Sequence, residues 1–412
     1  MFCDLTQSWS ERGGGVRTYL MQKRQHILAS PLDRHLLIIP GAADRVEEDG
    51  RAITVTIASW PVPGSPNYRL LLDNRQVRAM LDRFRPDLIE CQDVYNLPWA
   101  AIGFVRDHPA TVLTASYMTD MPTTYLERPL ARYVGKGLAG AAQALGYRYI
   151  RRLFAHFDAV GALSEAGGAA KLRAIGVERV HVTPLGVDLA EFSPERRDLA
   201  LRRALGLSHD QPLLIYVGRL DKEKQPQVVV DAFRRLPSEL GAHLVLLGDG
   251  PLRASFAAMG DSRIHLPGFV DGRAELARYL ASADLYVSGM ADETFGVSVV
   301  EAQASGLPVV GVAAGAMHDR IDAASGRLGP VGDGAAMAAN ILEVLSADRS
   351  AMARKARAKA LGESWARCME ILFDEVYPAA FAYAAARGRG SAGSSAVHAA
   401  GAKSEPGSDG GL

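Results

Sequence analysis

Residues 212–218 read PLLIYVG, and the same kind of run returns as HLVLLGDG at 243–250, RIHLPGF at 263–269, ADLYVSG at 283–289 and PVVGVA at 308–313. Each is a short apolar run closed by glycine or a polar residue, the pattern of a strand covered on both faces. Between them lie stretches with helical spacing: QPQVVVDAFRRL at 225–236, RAELARYLASA at 273–283 and VSVVEAQASG at 297–306. Strands alternating with helices predict a parallel sheet wound by right-handed crossovers. Ligands of such sheets bind at the carboxyl ends of the strands, so each polar residue just after an apolar run becomes a candidate.

An earlier series has the same form: HLLIIP at 35–40, AITVTIA at 52–58, DLIECQ at 87–92, TVLTAS at 111–116, AVGAL at 159–163 and VHVTPLG at 180–186. Two series imply two doubly wound α/β domains, 1–187 and 188–365. The polar, proline-containing stretch GVDLAEFSPERRDLALRRALGLSHDQ at 186–211 joins them. Residues 366–386 read as a helix returning to the N-terminal domain. The tail RGRGSAGSSAVHAAGAKSEPGSDGGL at 387–412 has almost nothing to bury and reads as disordered.

Composition narrows the classes. The 412 residues carry 46 basic and 46 acidic side chains, which argues against a dedicated nucleic-acid binder. No run approaches the roughly 20 apolar residues that span a bilayer, and no secretory signal opens the chain. Cys3, Cys91 and Cys368 are far apart and form no C-x-x-C, which excludes a disulfide framework and a cysteine zinc site and fits a reducing, cytoplasmic compartment.

Three stretches could carry chemistry. In RGGGVRTYL at 12–20, Gly13, Gly14 and Gly15 precede a helix and would let backbone N–H groups approach an anion. In YVGRLDKEKQP at 216–226, a strand ends at Gly218 and is followed by Arg219 and Lys224, a fork and a point charge suited to a diphosphate. In ADETFGVSVVEAQASG at 291–306, Glu293 lies in a loop, Phe295 and Gly296 open a helix, and Glu301 lies in its first two turns. Paired carboxylates raise the question of glycoside hydrolysis, but a hydrolase pair must flank one bond. Carboxylates on either side of an anion-binding turn suit hydrogen bonds from sugar hydroxyls instead.

The order and spacing of these stretches, with GVDLAEFSP between the domains, resemble the retaining nucleotide-sugar glycosyltransferases of family 4. Further matches are SEAGGAAKLRAIGVERVHVTPLGVD at 164–188, LLGDGPLR at 246–253, HLPGFVD at 265–271 and ELARYLASADLYVS at 275–288. The resemblance runs from about residue 12 to about residue 385 and implies the GT-B fold, two facing Rossmann-like domains. By that resemblance Arg219 and Lys224 would bind the donor diphosphate and neutralise it as it leaves, making them catalytic together with Glu293. Glu301 would bind the ribose. Glu293 would hold a hydroxyl of the transferred sugar. Gly218, Thr294, Phe295, Gly296 and Val297 would complete the donor site, with Gly14 and Gly15 reaching the phosphate from the N-terminal domain. The expected chemistry retains the anomeric configuration and needs no metal or cofactor, and the sequence offers no Asp-x-Asp pair to hold one.

The chain departs from the family at TASYMTDMPTTY, 114–125, similar to a segment that commonly reads S-Y-H-T-D-x-P-T-Y. Met118 stands where the histidine would be, so Tyr117, Asp120 and, in ECQDVYNLP at 90–98, Asp93 are candidates on the sugar or acceptor side. The stretch 124–154 sets Arg128, Arg132, Lys136, Arg148, Arg151 and Arg152 among Leu, Tyr and Phe. It reads either as helices covering the N-terminal sheet or as a surface for the inner face of an anionic membrane, the latter implying a lipid acceptor. The leading expectation is transfer of a hexose from GDP-mannose, or else a UDP-sugar, to a glycan or lipid hydroxyl. The alternative, raised by Met118, is a catalytically impaired GT-B scaffold that binds nucleotide sugar or a partner transferase. A third reading, a sugar-nucleotide hydrolase or epimerase, matches the motifs less well.

Overall fold

The computed structural model describes residues 1–10, 14–62, 65–208 and 210–389. Gly13, the side chain of Arg132 and the tail from Gly390 onward lie outside the described residues. The strands in chain order are β1 (Phe2–Leu5), β2 (His35–Gly41), β3 (Arg45–Asp49), β4 (Ala52–Ala58), β5 (Trp60–Val62), β6 (Ser65–Leu70), β7 (Leu88–Cys91), β8 (Val112–Tyr117), β9 (Ala159–Ala162) and β10 (Val180–Val182). They continue with β11 (Leu213–Val217), β12 (His243–Leu247), β13 (Ile264–Gly268), β14 (Leu285–Val287), β15 (Val309–Val312) and β16 (Gly326–Gly329).

By contacts the chain divides into two compact units. The first comprises Met1–Tyr117, Arg152–Gly161 and the described part of Met369–Leu412; the second comprises Met118–Arg151 and Ala162–Cys368. Residues 118–151 and 162–187, read from sequence as N-terminal, therefore cluster with the second unit.

The eight-stranded sheet has the order β10-β9-β8-β7-β1-β2-β4-β3. The pairs β8–β7, β7–β1, β1–β2 and β2–β4 are parallel, and β3 closes one edge antiparallel to β4. Its central strands β2, β7 and β8 are buried along their length, as expected of strands covered on both faces. Beside the edge, β4 buries only Ile53, Val55 and Ile57, and β3, with the sequence RVEED, is exposed throughout. Charge on an edge strand discourages pairing with another chain.

The first unit also buries a charged cluster. Lys23 Nζ lies 2.7 Å from Asp4 Oδ1 and 3.2 Å from Glu90 Oε2, with all three side chains almost fully buried. His35 Nε2 lies 2.7 Å from Asp4 Oδ2, and Arg24 donates to His35 Nδ1 at 2.8 Å. That leaves the proton on Nε2 and makes His35 a neutral donor to Asp4. Tyr19, Ser116 and Tyr377 donate their hydroxyls to Glu90 at 2.7, 2.9 and 2.7 Å. Burial alone would push the Asp4 carboxyl up, but Lys23 and His35 pull it down to about 2.

The six-stranded sheet is parallel throughout, in the order β13-β12-β11-β14-β15-β16. The strand order reverses between β11 and β14, where an open α/β sheet leaves a crevice at its carboxyl edge. Leu214, Leu244, Leu285 and Val310 of the sheet pack with Val229, Phe233, Met337 and Ile341 of flanking helices in one buried core. The loops after β11 and β12 meet backbone to backbone: Gly218 N–H donates to Leu247 O at 3.0 Å and Leu220 N–H to Asp249 O at 2.9 Å. A Cβ on Gly248 would lie 2.0 Å from Gly218 O, so the glycines of LLGDG are what let the Arg219 loop settle there.

Candidate donor site

The loops that flank the switch point of the second sheet carry the two densest motifs of the sequence. After β11, Asp221 Oδ1 accepts the N–H groups of Glu223 and Lys224, each at 3.0 Å, folding 221–224 into a turn that sets the direction of Lys224. Lys224 Nζ then reaches Glu293 Oε2 at 3.3 Å and Met290 Sδ at 2.8 Å in the loop after β14. Arg219 remains well exposed and lies between Asp221 Oδ2 at 2.5 Å and Glu223 Oε2 at 2.8 Å. The structure thus joins Lys224 to Glu293 across the switch point, while Arg219 is held by carboxylates of its own loop.

The loop 293–296 is held by its carbonyls. Glu293 O accepts from Ala316 N at 2.8 Å, Thr294 O from Ser164 Oγ at 2.8 Å, and Phe295 O from Arg320 Nε at 2.9 Å. Among the described residues there are no cis peptides, and in a trans peptide the N–H points opposite to the carbonyl of the preceding residue. Fixing these three carbonyls therefore turns the N–H groups of Thr294, Phe295 and Gly296 the other way, and none of the three donates to a partner among the described residues. Gly296, with φ of 84°, caps the helix Val297–Ala304. That conformation favours glycine and allows the chain to enter the helix directly from the loop. N–H groups without a partner at a helix start, in a loop that Lys224 reaches, are suited to an anion.

Glu301 lies on that helix and is 4% exposed. Arg273 Nη2 is 3.0 Å from Glu301 Oε1, and its guanidinium lies over the Phe192 ring at 4.8 Å. Burial raises the Glu301 carboxyl to about 7, with Arg273 pulling the other way. A buried carboxylate whose ionisation is finely balanced can accept hydrogen bonds from a diol without a large desolvation cost.

Met118 is nearly buried, and its carbonyl accepts from Thr294 Oγ1 at 3.0 Å. The backbone at this departure from the family pattern thus meets the 293–296 loop. Asp120 is 2% exposed and its oxygens take Lys171 Nζ at 2.9 Å, Tyr147 OH at 2.9 and 3.0 Å and Thr123 Oγ1 at 3.0 Å. Asp120 therefore anchors its own segment.

In the first unit the reversal of strand order falls between β1 and β7. Asp93 follows β7 and accepts from Thr6 Oγ1 at 3.2 Å, Ser8 Oγ at 2.6 Å and Gln7 N in the loop after β1. Burial raises its carboxyl despite those bonds. Gly14, with φ of 122°, caps the helix Gly15–Ala29. Tyr117 is buried and meets Phe154 edge-on at 6.0 Å. Ser164, Arg273 and Arg320 hold the 293–296 loop or Glu301, and sequence reasoning singled out none of them. Ser164 opens the quoted stretch SEAGGAAKLR, a signal that could have found it; Arg320 has no comparable marker.

The chain matches the family described as Glycosyltransferase Family 4 over residues 13–191 and that described as Glycosyl transferases group 1 over 211–347. It is 31% identical over 323 residues to the GDP-mannose-dependent alpha-(1-6)-phosphatidylinositol dimannoside mannosyltransferase of Mycobacterium tuberculosis, covering 77% of this chain and 81% of the relative. It is 32% identical over 385 residues to a GDP-mannose-dependent alpha-mannosyltransferase of the same species, covering 89% and 94%. The fold is similar to that of sucrose-phosphate synthase from Thermosynechococcus elongatus, with a TM-score of 0.71 at 20% identity over 92% of this chain and 99% of that one. The chain belongs to the family 4 glycosyltransferases of group 1 and has their GT-B fold.

Proposed function

We propose that the chain transfers mannose from GDP-mannose to a lipid-borne hydroxyl with retention of configuration. The observation that carries this is the row of N–H groups at 294–296, turned away from three fixed carbonyls and without a partner among the described residues, in the loop that also carries Glu293 and its contact with Lys224. In this reading Lys224, Arg219 and those N–H groups take the diphosphate, with Gly218 allowing close approach and Val297 opening the helix beside them. Glu293 takes a hydroxyl of the sugar and Glu301 the ribose. Negative charge develops on the departing diphosphate, so groups already in place can supply much of the barrier reduction. The acceptor hydroxyl attacks from the face the leaving group departs. The choice of GDP-mannose rests on the names of the two mycobacterial relatives.

The lipid side of the proposal has support in the helix Arg128–Phe154. Tyr133, Leu138 and Leu145 are 87%, 65% and 67% exposed, among exposed Lys136, Arg148 and Arg151. Exposed apolar groups interleaved with cations suit an anionic lipid surface. No described helix is long and apolar enough to cross a membrane.

Calorimetry with GDP, UDP and GDP-mannose, followed by product analysis with a mannosylated phosphatidylinositol, tests the reading. Lys224→Ala should weaken GDP binding by about tenfold, the loss of one charge-assisted contact. Glu293→Ala should leave GDP affinity within about twofold and depress transfer by about a hundredfold or more. Equal loss of GDP affinity in both variants contradicts the assigned roles.

A further inference from the structure

Arg320 is 5% exposed and belongs to the short helix Met317–Arg320, which follows β15. Its backbone is fixed by Gln303, whose buried Nε2 donates to Arg320 O at 2.7 Å. Its guanidinium makes three contacts: Nε donates to Phe295 O at 2.9 Å, the plane lies over the Phe295 ring at 4.2 Å, and Nη1 pairs with Glu363 Oε1. A buried guanidinium needs its charge and its donors satisfied, and the carboxylate of Glu363 supplies the counter-charge. The remaining capacity is directed at one residue, Phe295, through both its ring and its carbonyl.

We propose that Arg320 is a positioning residue for sugar-nucleotide binding, locking the Phe295–Gly296 peptide so that the Gly296 N–H is presented to the donor phosphate. This rests on the donor-site reading above. The Phe295 carbonyl and the Gly296 N–H are opposite ends of one planar unit, so a hydrogen bond on the first sets the direction of the second. Glycine at 296 gives the following backbone freedom to turn, and an external clamp removes the choice. Binding to a peptide that is already oriented avoids the entropic cost of ordering it. Arg320 touches neither Lys224 nor Glu293 in any described contact and acts only through Phe295.

Arg320→Lys keeps a cation for Glu363 but lacks the planar fork that can bond the carbonyl and cover the ring at once. We expect this variant to keep its thermal midpoint close to that of the native chain while raising the Kd for GDP and the KM for GDP-mannose by about tenfold. Glu363→Gln removes the counter-charge and should lower the thermal midpoint, but its amide oxygen still accepts from Nη1, so Arg320 stays over Phe295 and the Kd for GDP should remain within about twofold. An Arg320→Lys variant with native GDP affinity overturns the proposal. So does Glu363→Gln weakening GDP as much as Arg320→Lys, because the effect would then come from the ion pair rather than the Phe295 peptide. Lys224→Ala, measured alongside, separates the two levels. If it too leaves GDP affinity unchanged, the donor-site reading fails; if it alone weakens GDP, only the role of Arg320 fails.

Discussion

In the proposed donor site, Glu301 and Arg273 should make binding sensitive to pH near neutrality. Burial holds the Glu301 carboxyl near 7, above its ordinary value, so a proton stays on it as pH falls below neutrality. The ionised form is the better acceptor for ribose hydroxyls, so affinity for GDP-mannose should fall several-fold from about pH 8 to about pH 6. GDP-mannose is the ligand to use, because its diphosphate is esterified at both ends and does not titrate in that range. Arg273→Ala removes the pull of the guanidinium and should move the fall to higher pH, while Glu301→Gln should flatten it. A native profile without slope in that interval contradicts the role given to Glu301. For stability the sign is opposite. A carboxyl raised in the folded state contributes most below its unfolded pKa, and that contribution is lost as pH rises towards 7.

At the scale of the element, the helix Arg128–Phe154 is broken at Gly135, where φ is 80° and ψ 165°. Tyr133 lies before the break and Leu138 and Leu145 after it, so the exposed apolar groups are divided between two helical segments. We predict binding to vesicles containing phosphatidylinositol or phosphatidylglycerol that weakens with salt, and a clear loss in Lys136→Glu/Arg148→Glu, read by flotation. Binding insensitive to both salt and charge reversal would sink the lipid-surface reading. The sequence revealed elements unevenly, for physical reasons. The runs at 212–218, 243–250 and 308–313 were legible because both faces of those strands are buried. RVEED at 45–49 and GRLG at 326–329 were not, because edge pairing rather than burial makes them strands. The donor motifs were legible as residues, but the direction of the 293–295 carbonyls depends on Ser164, Ala316 and Arg320, partners that no local spacing encodes.

Over the whole molecule, the first unit is assembled from three separate stretches of chain, and a buried charged cluster ties the first of them to the last. Asp4 comes from β1, Lys23 from the following helix, Glu90 from β7 and Tyr377 from the helix Tyr377–Ala386. Phe2 packs with Phe373 and Tyr377 at 5.3 and 6.0 Å in the same region. Lys23→Met should cost about 3–5 kcal/mol, because Asp4 and Glu90 would stay buried without their ammonium. Adding Asp4→Asn and Glu90→Gln should recover much of that loss in denaturant unfolding, and no recovery would mean that lysine packing, not charge, was at stake. The second unit, by contrast, draws on nothing beyond Cys368. That arrangement has a consequence for synthesis on the ribosome. Domains ordinarily fold in the order in which they emerge. Here the part of the protein translated first cannot close until Phe373 and Tyr377 have been made, so the unit begun earliest is completed last. Because Phe373 and Tyr377 follow Cys368 by only a few residues, the nascent chain carries an unclosed first unit until nearly its whole described length has been made.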